Sequence, residues 1–125
     1  MDFPLFRLAE ASLNYAEAVL TGGAMVGGYT ALSAINALRV RAEAAQLTTV
    51  DLQTVLDEKA REFFFEGQRR TDLIRFGNFA GSTDYNWDWK GGTPGAIPFA
   101  AHRNLFPIPQ SEIQNNPNLV QNVGY

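Results

Sequence analysis

The feature that most constrains this chain is the helical spacing of apolar residues through its first 76 positions. Apolar side chains recur every three to five residues, as in Leu8, Leu13, Ala16 and Leu20, and such spacing places them on one face of a helix. No alternating strand pattern occurs in this half of the chain. The sequence therefore predicts four helices, at about residues 3–21, 30–45, 49–66 and 69–76.

Local signals set the expected ends of these helices. Pro4 suits the first helical turn, where its missing N–H costs nothing, and Thr30 is the expected cap of the second helix. The third helix is expected to begin at Thr48 or Thr49. Helices joined by short glycine-rich turns pack antiparallel, so the expected fold is mainly α and is built on antiparallel helix pairs.

The remaining residues predict a long irregular loop at 77–104 and an extended, proline-rich tail at 105–125. The loop contains five glycines and two prolines without any regular period. A structureless loop of this length is uncommon inside a domain unless it binds or packs against something. In the tail, Pro107 and Pro109 favour extended backbone, and Ser111 with Gln114 predicts a capping box.

Composition excludes several classes of function. The 125 residues suffice for one domain and contain no cysteine, which rules out disulfides, thiolate metal sites and cysteine nucleophiles. The net charge is −3 with scattered Lys and Arg, so the chain lacks the basic surface that nucleic acid requires. No run is apolar enough for a membrane span or a signal peptide. His102, the single histidine, has no neighbouring ligands, and we expect no metal or cofactor.

A dense charged cluster occupies residues 57–75. Its acids and bases lie within helical reach of one another, and such pairing lowers carboxyl pKa values, which is the wrong direction for a general acid. The cluster is therefore interpreted as a structural ion-pair network around Gly67, rather than as an acid–base site. Its members are Asp57, Glu58, Lys59, Arg61, Glu62, Glu66, Arg69, Arg70, Asp72 and Arg75. Arg7, Glu10, Glu17, Arg39 and Arg41 are expected to pair across the contact between the first two helices.

Five consecutive loop residues form the candidate ligand-binding site: Tyr85, Asn86, Trp87, Asp88 and Trp89. If this segment is extended, its three rings share one side. Aromatic faces stack on the C–H faces of sugars, while Asn and Asp accept hydrogen bonds from hydroxyls. The alternative is that the rings pack onto the helices or onto a neighbouring part of a larger protein.

Two further interpretations of this segment have less support. Asp84, Asn86 and Asp88 resemble the start of a calcium-binding loop, but Trp89 and Gly95 replace the required glycine and glutamate. A glycoside hydrolase would need two carboxylates flanking the scissile bond, and Asp84 and Asp88 are the loop candidates.

Four blocks along the chain resemble, in order, those of one known family. They are FPLFRLAE at 3–10 with YAEA at 15–18, AIN at 34–36 with RVRA at 39–42, EFFFEGQR at 62–69 with DLIRFG at 72–77, and LFPIPQSEI at 105–113 with NPNL at 116–119. They resemble the carboxy-terminal region of the SusD/RagB family of glycan-binding outer-membrane lipoproteins. The segment WDWKGG at 87–92 resembles the branch nearest the family's starch-binding founder.

The resemblance implies a tetratricopeptide-like helical fold without catalytic activity. It implies a lipid-anchored protein on the extracellular face of the outer membrane, which passes oligosaccharides to a SusC-like TonB-dependent transporter. The anchor cysteine and the amino-terminal part are expected to lie outside this chain, which would mainly complete the scaffold. The family's sugar-contacting residues lie mostly upstream, so none is transferred here. The alternative function is a helical-repeat module for protein–protein interaction that does not bind glycans.

Overall fold

The computed structural model describes residues 6–81 and 85–125, which divide into two compact units at Arg69 and Arg70. The described residues are mainly helical, as expected, with five α-helices and no β-strand. The helices are α1 (Leu8–Leu20), α2 (Ala31–Arg41), α3 (Leu52–Glu62), α4 (Arg69–Arg75) and α5 (Gln110–Asn115). None of the described helices is both long enough and apolar enough to cross a membrane.

The first unit is organised around α1, which packs against both α2 and α3. Its core combines small and branched side chains, and the alanines allow the helices to approach closely. Burial of each large aliphatic side chain contributes about 1.5–3 kcal/mol. The buried residues of this core are Ala9, Leu13, Ala16, Ala31, Ala34, Ile35, Val55 and Phe63. The expected apolar stripe of α1 was wrong at Leu8, which is exposed.

The start of α2 agrees with the prediction, but its end does not, because the residue that terminates it is unusual for a helix end. Thr30 caps α2 as predicted, accepting a hydrogen bond from the backbone N–H of Ser33. α2 stops at Arg41, because the next turn forms a Schellman motif with Glu43 in the left-handed conformation at φ 54°. Glycine or asparagine normally marks this position, so a glutamate there gave no signal.

The third helix starts later and ends earlier than predicted. Asp51 is its cap rather than a first-turn residue, and it forms a reciprocal capping box with Thr54. The helix ends at Glu62, because the chain then turns through Phe65 and Gly67, both at positive φ. For α1, the predicted start and the role of Pro4 fall outside the described residues, and the observed helix begins after Arg7.

The second unit contains α4, apart from Arg69, together with the loop and the tail. The described part of the loop, residues 77–81 and 85–104, contains more local structure than its sequence indicates. It contains 3₁₀ turns at Lys90–Gly92 and Ala101–Asn104, and an isolated parallel bridge pairs Ala80 with Phe99. In the tail, α5 follows Pro109 without any side-chain cap, so the predicted Ser111–Gln114 capping box was wrong.

Candidate functional site

The candidate ligand-binding segment folds into a turn rather than an extended strand. Trp89 is in the left-handed conformation with φ 67°, and the N–H of Lys90 donates to the carbonyl of Trp87 at 3.1 Å. A residue in this conformation breaks the alternation of side chains along a strand. The condition under which Tyr85, Trp87 and Trp89 would share one side, an extended segment, is therefore not met.

The Trp87 ring packs within its own unit. It makes edge contacts with Tyr85 and with Phe99, each at 6.4 Å between ring centroids, and 37% of the residue is exposed. Phe99 in turn contacts Phe79 at 5.1 Å. The two edge-to-face contacts of Trp87 are favourable, because the positive edge of one ring meets the negative face of another. Trp87 is thus partly structural, although its ring packs on other loop residues and not on the helices that the packing interpretation named.

A buried lysine supports this aromatic cluster. Lys90 is only 1% exposed, and its ammonium lies 4.8 Å from the Trp87 ring centroid and 5.7 Å from that of Phe99. It also donates to the backbone carbonyls of Asn78 at 3.3 Å and Tyr85 at 3.4 Å. Burial lowers the pKa of Lys90, because desolvation disfavours its charged form. Sequence reasoning missed Lys90, since lysine is rarely fully buried.

The backbone after Lys90 leaves no room for a side chain. Gly91 has φ 72°, and a Cβ there would lie 2.7 Å from the carbonyl oxygen of Ile97. The Ile97 N–H closes this contact by donating to the carbonyl of Lys90 at 2.8 Å. The turn that presents Trp87 and Trp89 is therefore held by a close approach that only glycine permits.

The remaining candidate residues face solvent. Trp89 is 64% exposed, and Asn86 and Asp88 are also exposed. One exposed indole beside amide and carboxylate groups has the chemistry to stack on a sugar ring and accept hydrogen bonds from its hydroxyls. Asp84, which the calcium and hydrolase interpretations require, lies outside the described residues. Over residues 6–81 and 85–125, no cluster of three or more His, Asp or Glu forms a possible metal site.

A small groove lies elsewhere in the second unit, around Arg70. Its volume is about 190 Å³, and its walls are mostly aromatic. The Arg70 guanidinium lies 3.9 Å from the ring centroid of Phe106 and donates to the carbonyl of Arg103 at 2.9 Å. Tyr125 donates its hydroxyl proton to the carbonyl of Leu105 at 2.7 Å. These contacts hold the tail against its own unit, and we assign them a structural role.

Part of the charged cluster forms ion pairs within the first unit, as interpreted from the sequence, whereas Asp72 pairs with Arg75 at 3.1 Å in the second unit. Glu58 pairs with Arg39 and with Arg61. Lys59, almost fully buried, pairs with Glu17 at 3.2 Å. The basic residues of α2 therefore reach α3 rather than α1, which corrects the expected pairing across the first two helices.

Glu62 and Glu66 share one arginine. Arg7 contacts both carboxylates, and Arg41 also contacts Glu62 at 2.5 Å. Burial raises the pKa of Glu62, but the hydrogen bonds and charges of Arg41 and Arg7 outweigh it, so the pKa lies below its usual value. The Glu62 carboxylate is therefore held ionised, and the arginine contacts of both glutamates join α3 and the turn after it to Arg7 and to α2.

Comparisons with known proteins agree with the resemblance seen in the sequence. The chain is 49% identical over 125 residues to starch-binding protein SusD of Bacteroides thetaiotaomicron, with 99% of this chain and 22% of that protein aligned. It spans about a fifth of the length of that curated relative.

Solved structures resemble the chain as well. Surface glycan-binding protein A from Bacteroides uniformis is 35% identical with a TM-score of 0.74, over 96% of this chain and 27% of that one. A SusD superfamily protein from Parabacteroides distasonis is 28% identical with a TM-score of 0.77, over 98% and 27%. The model of the SusD family matches residues 1–125. This chain therefore belongs to the SusD family.

Proposed function

We propose that this chain is the carboxy-terminal region of a cell-surface protein that binds oligosaccharides and delivers them to a SusC-like TonB-dependent transporter. The observation that carries the proposal is its 49% identity to a protein named for starch binding. The chain covers 22% of that relative while the family matches it from end to end, which supports a role as one region of a larger protein. A starch-like glucan is the ligand class we propose.

Within such a protein, the main task of this region is to complete the scaffold. Glu58 and Glu62 of α3 and Glu66 in the turn after it are engaged by arginines, which suits rigid packing rather than proton transfer. We propose that the protein is not an enzyme. The check is release of reducing sugar from starch by the full-length protein, with none expected. Activity that is lost in Asp88→Asn would establish the hydrolase alternative instead.

Any sugar contact made by this region is proposed to centre on Trp89, with Asn86 and Asp88 as hydrogen-bonding neighbours. Trp89→Ala in the full-length protein should weaken oligosaccharide affinity about threefold to tenfold, equivalent to roughly 0.5–1.5 kcal/mol. The unfolding temperature should be unchanged, because the Trp89 ring is largely exposed. Isothermal titration calorimetry with maltooligosaccharides and thermal unfolding provide the two measurements.

The matched control is Trp87→Ala. Its ring packs on Phe99 and Lys90, so this variant should lower the unfolding temperature. If Trp89→Ala leaves affinity unchanged, the contact site lies outside this segment, although the proposal for the whole protein would stand. Failure of the full-length protein to bind any oligosaccharide in a glycan panel would contradict the proposal itself, and a helical peptide partner would then favour the interaction module.

We further propose an extracellular, outer-membrane location through a lipid anchor on a part of the polypeptide outside this chain. The chain's net charge of −3 offers no attraction to nucleic acid or to an anionic membrane surface. Protease accessibility of the protein on intact cells, and its co-purification with the transporter, test the location and the partner separately. A full-length protein recovered only from the cytosol would contradict this location.

A further inference from the structure

The second unit buries a lysine that has no carboxylate partner among residues 6–81 and 85–125. Lys90 is 1% exposed, and its ammonium contacts only aromatic rings and backbone carbonyls there. The other buried lysine, Lys59 of the first unit, pairs with Glu17 at 3.2 Å. Removing a cation from water is costly unless its charge is compensated. Packing alone would be served better by an apolar side chain of the same length, so the hydrogen bonds of Lys90 are what distinguish it.

These hydrogen bonds tie the candidate ligand-binding segment to the end of α4. The ammonium donates to the carbonyl of Asn78 at 3.3 Å and to that of Tyr85 at 3.4 Å. Asn78 is itself fixed, because its N–H donates to the carbonyl of Leu73 in α4 at 2.7 Å. One side chain therefore joins the first residue of the segment to a helix, and an apolar side chain could not do so.

The backbone of Lys90 closes the turn that contains Trp89. Its N–H donates to the carbonyl of Trp87 at 3.1 Å, and its carbonyl accepts from the N–H of Ile97 at 2.8 Å. The carbonyl of Trp89 accepts from the N–H of Gly92 at 2.9 Å. The residue that holds the segment through its side chain thus also holds the turn through its main chain.

The direction of the Trp89 indole depends on this turn. Trp89 is 64% exposed, so its side chain has little packing of its own to fix it. Its backbone is in the left-handed conformation at φ 67°, which an unrestrained tryptophan rarely adopts. A binding group that is held in one orientation before the ligand arrives loses less conformational entropy on binding, and its affinity is higher.

We propose that Lys90 is a positioning residue for sugar binding, which fixes the turn so that the exposed indole of Trp89 is presented to a sugar ring. Lys90 does not touch the sugar, because it is buried beneath the turn. This inference rests on the proposed function, in which any sugar contact of this region centres on Trp89. It adds that the contact depends on a residue whose side chain is closed to solvent.

The test is Lys90→Met in the full-length protein, which keeps the length of the side chain and removes its charge and its N–H donors. Affinity for maltooligosaccharides, measured by isothermal titration calorimetry, should fall about threefold to tenfold, as for Trp89→Ala. The double variant should bind no more weakly than Trp89→Ala alone, because Lys90 acts through that indole. A purely structural role would not produce this lack of additivity.

Hydrogen exchange provides a second measurement that needs no sugar. The amides of Gly92 and Ile97, which donate within the turn, should exchange about tenfold faster in Lys90→Met than in the wild type. Lys59→Met is the matched control, because it removes a buried lysine of the first unit. It should lower the unfolding temperature and leave both the affinity and these two amides unchanged. If Lys90→Met does not fold, Lys90→Gln replaces it with the same expected results.

Wild-type affinity in Lys90→Met, together with weaker binding by Trp89→Ala, would overturn this inference and leave the proposed contact site standing. A further loss of affinity when Lys90→Met is added to Trp89→Ala would also overturn it, since Lys90 would then act elsewhere. Unchanged affinity in Trp89→Ala would remove the contact site and this inference together. Failure of the wild-type full-length protein to bind any oligosaccharide would contradict the proposed function itself, so the failures are distinguishable.

Discussion

The bidentate pair between Arg7 and Glu66 gives the sharpest test of how the first unit is held together. Arg7 Nε donates to Glu66 Oε2 at 3.0 Å, and Nη2 donates to Oε1 at 2.7 Å. The same guanidinium contacts the carboxylate and the carbonyl of Glu62. Replacing Glu66 by Gln removes the charge and one of the two acceptors, while the shape of the side chain is conserved.

The size of the effect follows from the exposure of the pair. The side chains of Arg7 and Glu66 are 26% and 19% exposed, so the pair is screened less than a surface ion pair, whose worth is about 0–1 kcal/mol. It is also far from the fully buried case, where loss of a partner costs roughly 3–5 kcal/mol. Hydrogen bonds to charged groups contribute about 1.5–3 kcal/mol. Because the pair is partly exposed, we expect Glu66→Gln to lower the free energy of unfolding by about 1–2 kcal/mol.

A double-mutant cycle separates this pair from its neighbours. Arg7→Lys keeps the charge but loses the fork that binds both carboxylate oxygens, and it should cost about 1–2 kcal/mol. If the two groups interact directly, the double variant should lose about 1 kcal/mol less than the sum of the single variants. Equilibrium urea unfolding followed by far-UV circular dichroism measures each free energy of unfolding.

The control for this cycle is Glu112→Gln, an exposed glutamate in α5 of the second unit. A surface substitution of this kind should change stability by less than about 0.5 kcal/mol. A coupling energy near zero between Arg7 and Glu66, with an unchanged midpoint for Glu66→Gln, would show a solvated cluster. The structural role assigned to the network would then be refuted.

Three further predictions concern pH, backbone and tail. Glu62→Gln should lower stability by about 1–2 kcal/mol at pH 7. In the wild-type protein the pKa of the Glu62 carboxyl is held below the ordinary 4.5, so the stability advantage of the wild type over the variant is present above that pH and is lost as the pH falls through the folded pKa. A difference in the free energy of unfolding that persists at pH 2 in urea titrations would contradict this. Gly91→Ala should destabilise the protein by about 2 kcal/mol or more. The control is Gly92→Ala, which has φ 85° but open space around the added Cβ, and it should cost about 1 kcal/mol. Equal losses of stability in the two variants would refute the close-approach explanation. In the wild-type protein the Ile108 N–H donates to the side-chain oxygen of Gln121 at 2.9 Å, so Gln121→Ala should raise the hydrogen-exchange rate of the Ile108 amide. An unchanged exchange rate would show that other contacts hold the tail.

Much of the helical architecture was predictable from local sequence. The recurrence of Leu13 and Ala16 identified the buried face of α1, and Thr30 identified the start of α2. These signals are readable because helical period and capping depend on residues only three or four positions apart. The family resemblance was predictable for a similar reason, since its blocks are short and contiguous.

The candidate site was only partly predictable. The sequence located the aromatic segment at Tyr85 to Trp89, but not the turn that separates the roles of Trp87 and Trp89. That turn depends on Lys90 and on Gly91, whose contact with Ile97 cannot be deduced from spacing. Whether the segment binds sugar stays a prediction.

The sequence alone predicted the class of fold, the approximate positions of the helices, the family and the pairing of charges within one helix. Tertiary structure decided which distant charges meet, since Arg39 and Arg41 reach α3 rather than α1. It also decided that Phe63 is buried while Phe64 and Phe65 are exposed. The physical reason is that periodicity is a property of neighbouring residues. Burial, by contrast, depends on which helix lies opposite. The left-handed conformation at Phe65 could not be predicted either, because glycine, the usual residue there, is absent from that position.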